Sequence, residues 1–383
     1  MEKNDRINLI FFVKELNNGI GGMEVHQRAF IDYFKVSTLF RLYVVEKANL
    51  GMIVYMTFGE SLQLVGIQKT VRKGLFQLKQ NLDGKTIVFI NDFWWIETIP
   101  LIRREFNNSK IFIRSGGNDI EKMPWNIGDF SYEKRLELCK KALNQVDGII
   151  VNSKFSQKRF ISHGIPSKKT IIIRGGVNTV VCDFVAKRRE IINQTVRMIY
   201  GITSPYLFAF ACRLVPFKGI LLALEAIRQS PYKDLCHLLF LGDGELMDEL
   251  RDYCQTHGLN TSFLGALPNE DVLNVLGACD LLINTSLELV KSYKGHSYIH
   301  TETMGRSMME AISVHTPIIA TNVGGIPELF KENNDIGILA DCSVEAISSA
   351  IEIALKHQFT FRTNIDYSWN NVFNSYSSIF NSK

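Results

Sequence analysis

The sequence predicts an α/β protein of two doubly wound, Rossmann-like domains, and three observations predict it. Short β-rich apolar runs alternate with helical patterns almost from end to end. Those runs are apolar on both faces, as parallel strands covered by helices require. A chain of 383 residues also exceeds what one hydrophobic core normally supports, so two domains are expected.

The elements follow in chain order. The first half offers strands at Ile7–Val13, Leu39–Val45, Ile87–Ile90, Lys110–Arg114, Gly148–Val151 and Thr170–Arg174. The second offers Tyr206–Ala211, His237–Leu241, Ser262–Leu264, Leu281–Asn284, Pro317–Ala320 and Ile336–Leu339. Helical patterns lie between them, for example at Val25–Phe34, Tyr132–Gln145, Ile220–Arg228 and Leu246–His257. The boundary is expected in Val177–Pro205, where a charge run (Lys187-Arg188-Arg189-Glu190) and Asn193-Gln194-Thr195 precede renewed strand periodicity. The expected division is 1–185 and 186–365, with a helical tail over 366–383 that includes Trp369 and Phe380.

Composition excludes several classes. Apolar residues make up 46% and charged residues 21%, ordinary for a globular chain and unlike disorder. A net charge of +4 is too mild to imply nucleic acid, though it suits phosphate-bearing ligands or an anionic membrane face. The seven cysteines are scattered without a C-x-x-C pair, which points to no disulfide framework, no zinc site and a reducing, cytoplasmic setting. No apolar stretch approaches the roughly 18 to 20 residues that cross a bilayer, so membrane contact is expected only at its inner, cytosolic face. Lys69, Arg72, Lys73 and Lys79, interleaved with Val71, Leu75, Phe76, Leu78 and Leu82, form a basic amphipathic helix. It reads as an ordinary surface helix or as one that rests on an anionic bilayer.

The chemistry concentrates in three clusters. In Thr301-Glu302-Thr303-Met304-Gly305-Arg306-Ser307-Met308-Met309-Glu310, Gly305 lets the chain turn into a helix that carries Glu310. The N–H groups of Gly305, Arg306 and Ser307 then open a helix, a place suited to a diphosphate. Carboxylates beside it accept hydrogen bonds from sugar or ribose hydroxyls; the bland alternative is a solvated helix face with Glu302 facing the helix dipole. The second cluster, Cys212-Arg213-Leu214-Val215-Pro216-Phe217-Lys218-Gly219, follows a strand, so two cations stand where open α/β sheets bind ligands. The third, Asn18-Gly19-Ile20-Gly21-Gly22-Met23-Glu24-Val25-His26, is a glycine loop after the first strand. It is not the dinucleotide fingerprint, because the third glycine position holds Glu24, so an NAD enzyme is disfavoured.

With Val151-Asn152-Ser153, Gly324-Gly325-Ile326-Pro327-Glu328 and Trp369, these clusters form an ordered set over nearly the whole chain. The set resembles the family 4 glycosyltransferases, which have the GT-B fold of two Rossmann-like domains facing a central cleft. The resemblance implies an acceptor-binding first domain, a nucleotide-sugar-binding second domain and a tail that crosses back to the first. It implies that Arg213 and Lys218 neutralise the donor diphosphate, Glu310 binds the ribose and Glu302 the transferred sugar. Gly305, Arg306 and Ser307 would hold the distal phosphate, Gly21 and Gly22 would approach it, and Gly265 and Leu267 would hold the base. Transfer with retention and without an obligatory metal or cofactor is implied, from a UDP-sugar or a GDP-sugar. The absence of a D-x-D pair agrees with the lack of a metal.

Two departures from the family pattern concern the acceptor side. Where the family often has a histidine, this chain has Arg114-Ser115-Gly116-Gly117-Asn118-Asp119. Arg114, Asn118 and Asp119 are therefore candidates to meet the sugar or acceptor, with Asp119 a candidate base. The second departure is a polar, aromatic insertion, Lys291 to His300, that brings His296 and His300 before Glu302. His300, and His26 in the glycine-loop helix, are read as sugar-contact candidates or as satisfied structural histidines. The expected activity is sugar transfer to a glycan, lipid-linked or small-molecule acceptor, as in surface polysaccharide or glycoconjugate synthesis. A nucleotide-sugar epimerase and a non-catalytic nucleotide-sugar-binding partner are the competing readings.

Overall fold

The computed structural model describes residues 6–16, 22–48, 51–58, 61–122, 128–293, 295–363 and 365–382. Two compact units emerge. One contains Met1–Arg174, Lys291–Tyr298 and Asn370–Lys383; the other contains Gly175–Val290 and Ile299–Trp369.

The first unit is built on strands β1 (Ile7–Val13), β2 (Phe40–Ala48), β3 (Gly51–Phe58), β4 (Ser61–Gln68), β5 (Thr86–Ile90), β6 (Lys110–Arg114), β7 (Gly148–Val151) and β8 (Thr170–Ile172). Their order is β4-β3-β2-β1-β5-β6-β7-β8. All neighbours are parallel except β2 with β3 and β3 with β4. Every residue of β1 is buried, which is why its sequence is apolar except for Asn8. Strands β3 and β4 escape such reading because they form an antiparallel edge. Leu64, Val65 and Ile67 of β4 are exposed, so no helix-covered run marks them.

The helix Gly22–Lys35 turns His26, Gln27, Phe30 and Phe34 inward, the spacing of one helical face. Over it lies the C-terminal helix Trp369–Asn381, which buries Val372, Phe373, Tyr376 and Phe380. The Phe380 ring has the rings of Phe34, Phe40, Phe89 and Phe112 around it at 5.4 to 6.2 Å. The tail thereby completes the core of the first unit.

The second unit holds strands β9 (Tyr206–Ala211), β10 (Cys236–Leu241), β11 (Thr261–Gly265) and β12 (Leu281–Asn284). A hairpin, β13 (Leu289–Tyr293) and β14 (His296–His300), precedes β15 (Ile318–Thr321), β16 (Asn333–Asn334), β17 (Gly337–Ala340) and β18 (Arg362–Thr363). The main sheet is parallel throughout, in the order β11-β10-β9-β12-β15-β17.

Two stretches differ from the sequence expectation. Residues 177–205, expected to hold the boundary, are mostly two helices, Thr179–Lys187 and Arg189–Tyr200, inside the second unit. Their polar residues are structural ties: Arg189 donates to Val314 O, Thr316 Oγ1 and Cys279 O, and Asn193 donates to Ala278 O. The insertion before Glu302 is a hairpin whose residues 291–298 belong to the first unit. There His296 stacks on Tyr132 with ring centroids 3.7 Å apart.

Phe380 is fully buried, so Phe380→Ala is expected to cost about 3–5 kcal/mol. Ile191→Ala, at a residue 64% exposed, should stay within about 0.5 kcal/mol. Urea unfolding of the two variants checks this; equal midpoints would refute the structural role of the tail.

Candidate functional site

In the second unit the strand order reverses between β9 and β12. The chain leaves such neighbouring strands toward opposite faces, which opens a crevice at their carboxyl ends. The segment following β9 carries Arg213 and Lys218, and it is tied to the segment following β12. Leu287 N–H donates to Phe217 O at 2.7 Å, and Thr285 Oγ1 donates to Gly219 O at 2.9 Å. Arg213 is exposed, and its guanidinium makes no hydrogen bond or ion pair among the described residues.

Lys218 is different. Its Nζ meets Glu302 Oε2 at 2.5 Å, and the two side chains are only 13% and 15% exposed. Glu302 Oε1 accepts from the N–H groups of Thr303 and Gly305, each at 3.2 Å. Burial alone raises the Glu302 carboxyl, but Lys218 and these N–H donors outweigh it and hold it below the ordinary range. Burial likewise lowers Lys218, yet the Glu302 carboxylate holds its ammonium above the usual lysine value. The pair is charged on both sides through the neutral range.

The backbone around Glu302 is fixed by the second glycine turn. Gly325 N–H donates to Glu302 O at 2.9 Å. A Cβ at Gly324 or Gly325 would come within 2.1 Å of Glu302 O or 2.0 Å of Thr303 O. No other residue type permits that approach. Gly305, at φ 82°, then caps the helix Arg306–Ser313. Its N–H is taken by Glu302, so the helix's opening donors begin with residues 306 and 307.

Glu310 is buried on this helix at 4% exposure. Its Oε1 accepts from Arg306 Nε at 2.9 Å and from Asn269 Nδ2 at 2.7 Å. Asn269 starts the helix Asn269–Ala278, shortly after Gly265 and Leu267. Sequence reading missed Asn269, because a lone asparagine at a helix start signals only capping. His300 packs edge-on to Phe217, ring centroids 4.5 Å apart, beside the same segment.

The first unit repeats the strand-order reversal at β1 and β5. Gly21 lies outside the described residues, and Gly22 opens the helix Gly22–Lys35. His26 is 1% exposed, within hydrogen-bond distance of Tyr376 Oη and packed among Phe30, Phe373 and Tyr376, the setting of a core histidine. Arg114 is buried, with Nη1 on Met23 Sδ. Asn118 Oδ1 accepts from Arg159 Nη1 at 2.7 Å, and Asp119 Oδ2 accepts from Ser115 Oγ and Gly116 N–H. Asp119 ties the loop to itself, and Arg114 and Asn118 tie it to neighbouring helices.

Asp92, just after β5 at this reversal, is the residue sequence reading overlooked; only its place after a buried strand could have flagged it. It accepts from Trp94 N–H at 2.8 Å. Burial pushes its carboxyl from 3.8 up to about 7, with Asp119 adding to the rise. All seven cysteines are unbridged, and no group of three metal-ligating side chains occurs among the described residues.

Comparison with known proteins bears on the second unit first. Residues 194–369 match the family model of the glycosyl transferases group 1. That match spans most of the second unit. One component of the human phosphatidylinositol N-acetylglucosaminyltransferase is 34% identical over 148 residues, covering 37% of this chain and 27% of its own length. A GDP-mannose-dependent monoacylated alpha-(1-6)-phosphatidylinositol monomannoside mannosyltransferase of Corynebacterium glutamicum is 26% identical over 278 residues, covering 69% of each chain. Among the first curated relatives the chain spans 27% to 45% of their lengths. The crystal structure of Anabaena HepE with UDP and glucose superposes with a TM-score of 0.69 at 16% identity, covering 98% of this chain and 99% of that one. The fold is GT-B.

The raised Asp92 pKa has a defined sign. A carboxyl that resists ionising in the fold contributes stability below pH 3.8 that is lost as pH rises to about 7. Asp92→Asn keeps an acceptor for Trp94 N–H and removes the loss. Its melting temperature, relative to wild type, should rise between pH 4 and 7 and then level off. A pH-independent difference in paired thermal melts would contradict the burial of this carboxyl.

Proposed function

We propose that the chain is a retaining glycosyltransferase that moves a sugar from a nucleoside-diphosphate donor to a glycan or lipid-linked acceptor. The observation that carries this reading is the placement of Arg213 and the Lys218–Glu302 pair at the strand-order reversal of a unit that matches the group 1 glycosyl transferases. Transfer exchanges the bond from the anomeric carbon to a phosphate oxygen for one to the acceptor oxygen. The departing diphosphate gains negative charge, and fixed cations near it lower the barrier. Arg213 supplies an unpaired planar fork and Lys218 a buried point charge.

Glu302 then takes a hydroxyl of the transferred sugar and Glu310 the ribose hydroxyls. Arg306 and Ser307 receive the distal phosphate, the Gly305 N–H being committed to Glu302, and Gly265 and Leu267 hold the base. The first unit takes the acceptor, with Asp92 better placed for it than the loop-tied Asp119. A GDP-mannose-dependent relative and a structural neighbour holding UDP support a nucleotide-sugar donor of either base. Relatives named for phosphatidylinositol glycosides favour a lipid-linked acceptor and hence the inner membrane face. On the first unit, Lys69, Arg72, Lys73, Phe76 and Lys79 are exposed, and so are Leu64, Val65 and Ile67 of β4; exposed basic and apolar groups are of the kind an anionic bilayer attracts. No described helix is long and apolar enough to cross a membrane.

The test supplies labelled UDP- and GDP-sugars with a lipid extract or with soluble glycans and follows label into each. Lys218→Ala and Arg213→Ala are expected to lower transfer about 100-fold or more, and Arg213→Ala, at an exposed side chain, should melt like wild type. Undiminished transfer by a folded Arg213→Ala protein would sink the donor-site assignment. Isomerised donor without transfer would instead identify an epimerase.

A further inference from the structure

Glu302 and Glu310 differ in what their oxygens have left to accept. Glu302 is engaged on both oxygens, by two backbone N–H groups and by Lys218. In Glu310 both donors, Arg306 Nε and Asn269 Nδ2, converge on Oε1. A carboxylate oxygen offers two lone pairs, so Oε1 is saturated. Oε2 accepts no hydrogen bond among the described residues, although the side chain is only 6% exposed.

Arg306 reaches Glu310 from one turn earlier on the same helix, so this contact follows from helical spacing. Asn269 comes from a different helix and spends its side-chain amide on Glu310 rather than on capping its own N-terminus. Two donors arriving from two helices fix the carboxylate's rotation, where one alone would leave it free to swing. We propose that Asn269 is a positioning residue that pins Glu310 Oε1 so that Oε2 is presented to the ribose hydroxyls of the donor. The inference rests on the reading of Glu310 as the ribose acceptor. Asn269 itself touches no ligand; its effect is exerted through Glu310, and it governs preference for a ribose over a sugar without those hydroxyls.

The test measures binding of UDP and GDP, and of their 2′,3′-dideoxy counterparts, by calorimetric titration of the full chain. Wild type is expected to favour the ribose form. Asn269→Ala should weaken the ribose form about tenfold, the effect of one hydrogen bond to a charged group, and leave the dideoxy form unchanged. Asn269→Asp, which keeps the size but cannot donate, should lose at least as much. If both forms weaken equally, or neither weakens, Asn269 does not position Glu310 and the inference is overturned. Glu310→Gln separates the two layers. Should it keep the ribose preference, the ribose role of Glu310 fails and this inference with it. Should it abolish the preference while Asn269→Ala retains it, only the positioning role fails. Melting temperatures of all variants, measured alongside, separate lost folding from lost discrimination.

Discussion

The second unit's site depends on the buried ion pair between Lys218 and Glu302. Two charges taken out of water gain little net stability unless each is fully satisfied, and removing one partner typically costs about 3–5 kcal/mol because the other is stranded. Here the carboxylate is engaged on both oxygens, while the ammonium spends one of its three donors on it. Glu302 has Lys218 on one oxygen and the N–H groups of Thr303 and Gly305 on the other. The cost of burying the charges is met by backbone geometry around the carboxylate. Gly324 and Gly325 approach the Glu302 segment more closely than any side chain allows, and Gly305 turns the chain at positive φ into the next helix. On the proposed reading, this geometry holds a cation ready for a diphosphate without a metal.

The same constraint separates the roles of the site's two carboxylates. Glu302 is committed to Lys218 and its own loop, with little acceptor capacity to spare. Glu310 has one saturated oxygen and one that accepts nothing among the described residues. A sugar hydroxyl at Glu302 would have to share the carboxylate with Lys218, which couples sugar recognition to the charge meant for the phosphate. On the proposed reading, Glu310 reads the nucleoside end independently of that pair.

Much of this was legible in the sequence, and the reasons are physical. Strands β1, β6, β7, β9 and β12 match the expected limits because burial on both faces leaves a largely apolar run that stands out from its surroundings. The Glu302–Glu310 spacing with Gly305 between them was equally visible, since a turn into a helix needs such a residue. The antiparallel strands β3 and β4 were not legible; in the edge strand β4, exposed Leu64, Val65 and Ile67 break the pattern that burial writes. Residues 177–205 misled because Arg189 and Asn193 bond backbone carbonyls of neighbouring elements, a use of polarity that composition cannot tell from solvation. Asn269 and Asp92 owe their interest to three-dimensional neighbours, Glu310 for one and a burying environment at a strand end for the other. Single residues of common type carry no such mark in the chain.

The central claim is that Lys218, held by Glu302, is the diphosphate-binding cation. Its most direct measurement compares the affinity for UDP and GDP with that for uridine and guanosine, in wild type and in Lys218→Met, by calorimetric titration. The account predicts that wild type prefers the diphosphate and that Lys218→Met shrinks this preference about 100-fold, the worth of roughly 2.7 kcal/mol, while nucleoside affinity holds. An unchanged preference in a folded Lys218→Met protein would contradict it.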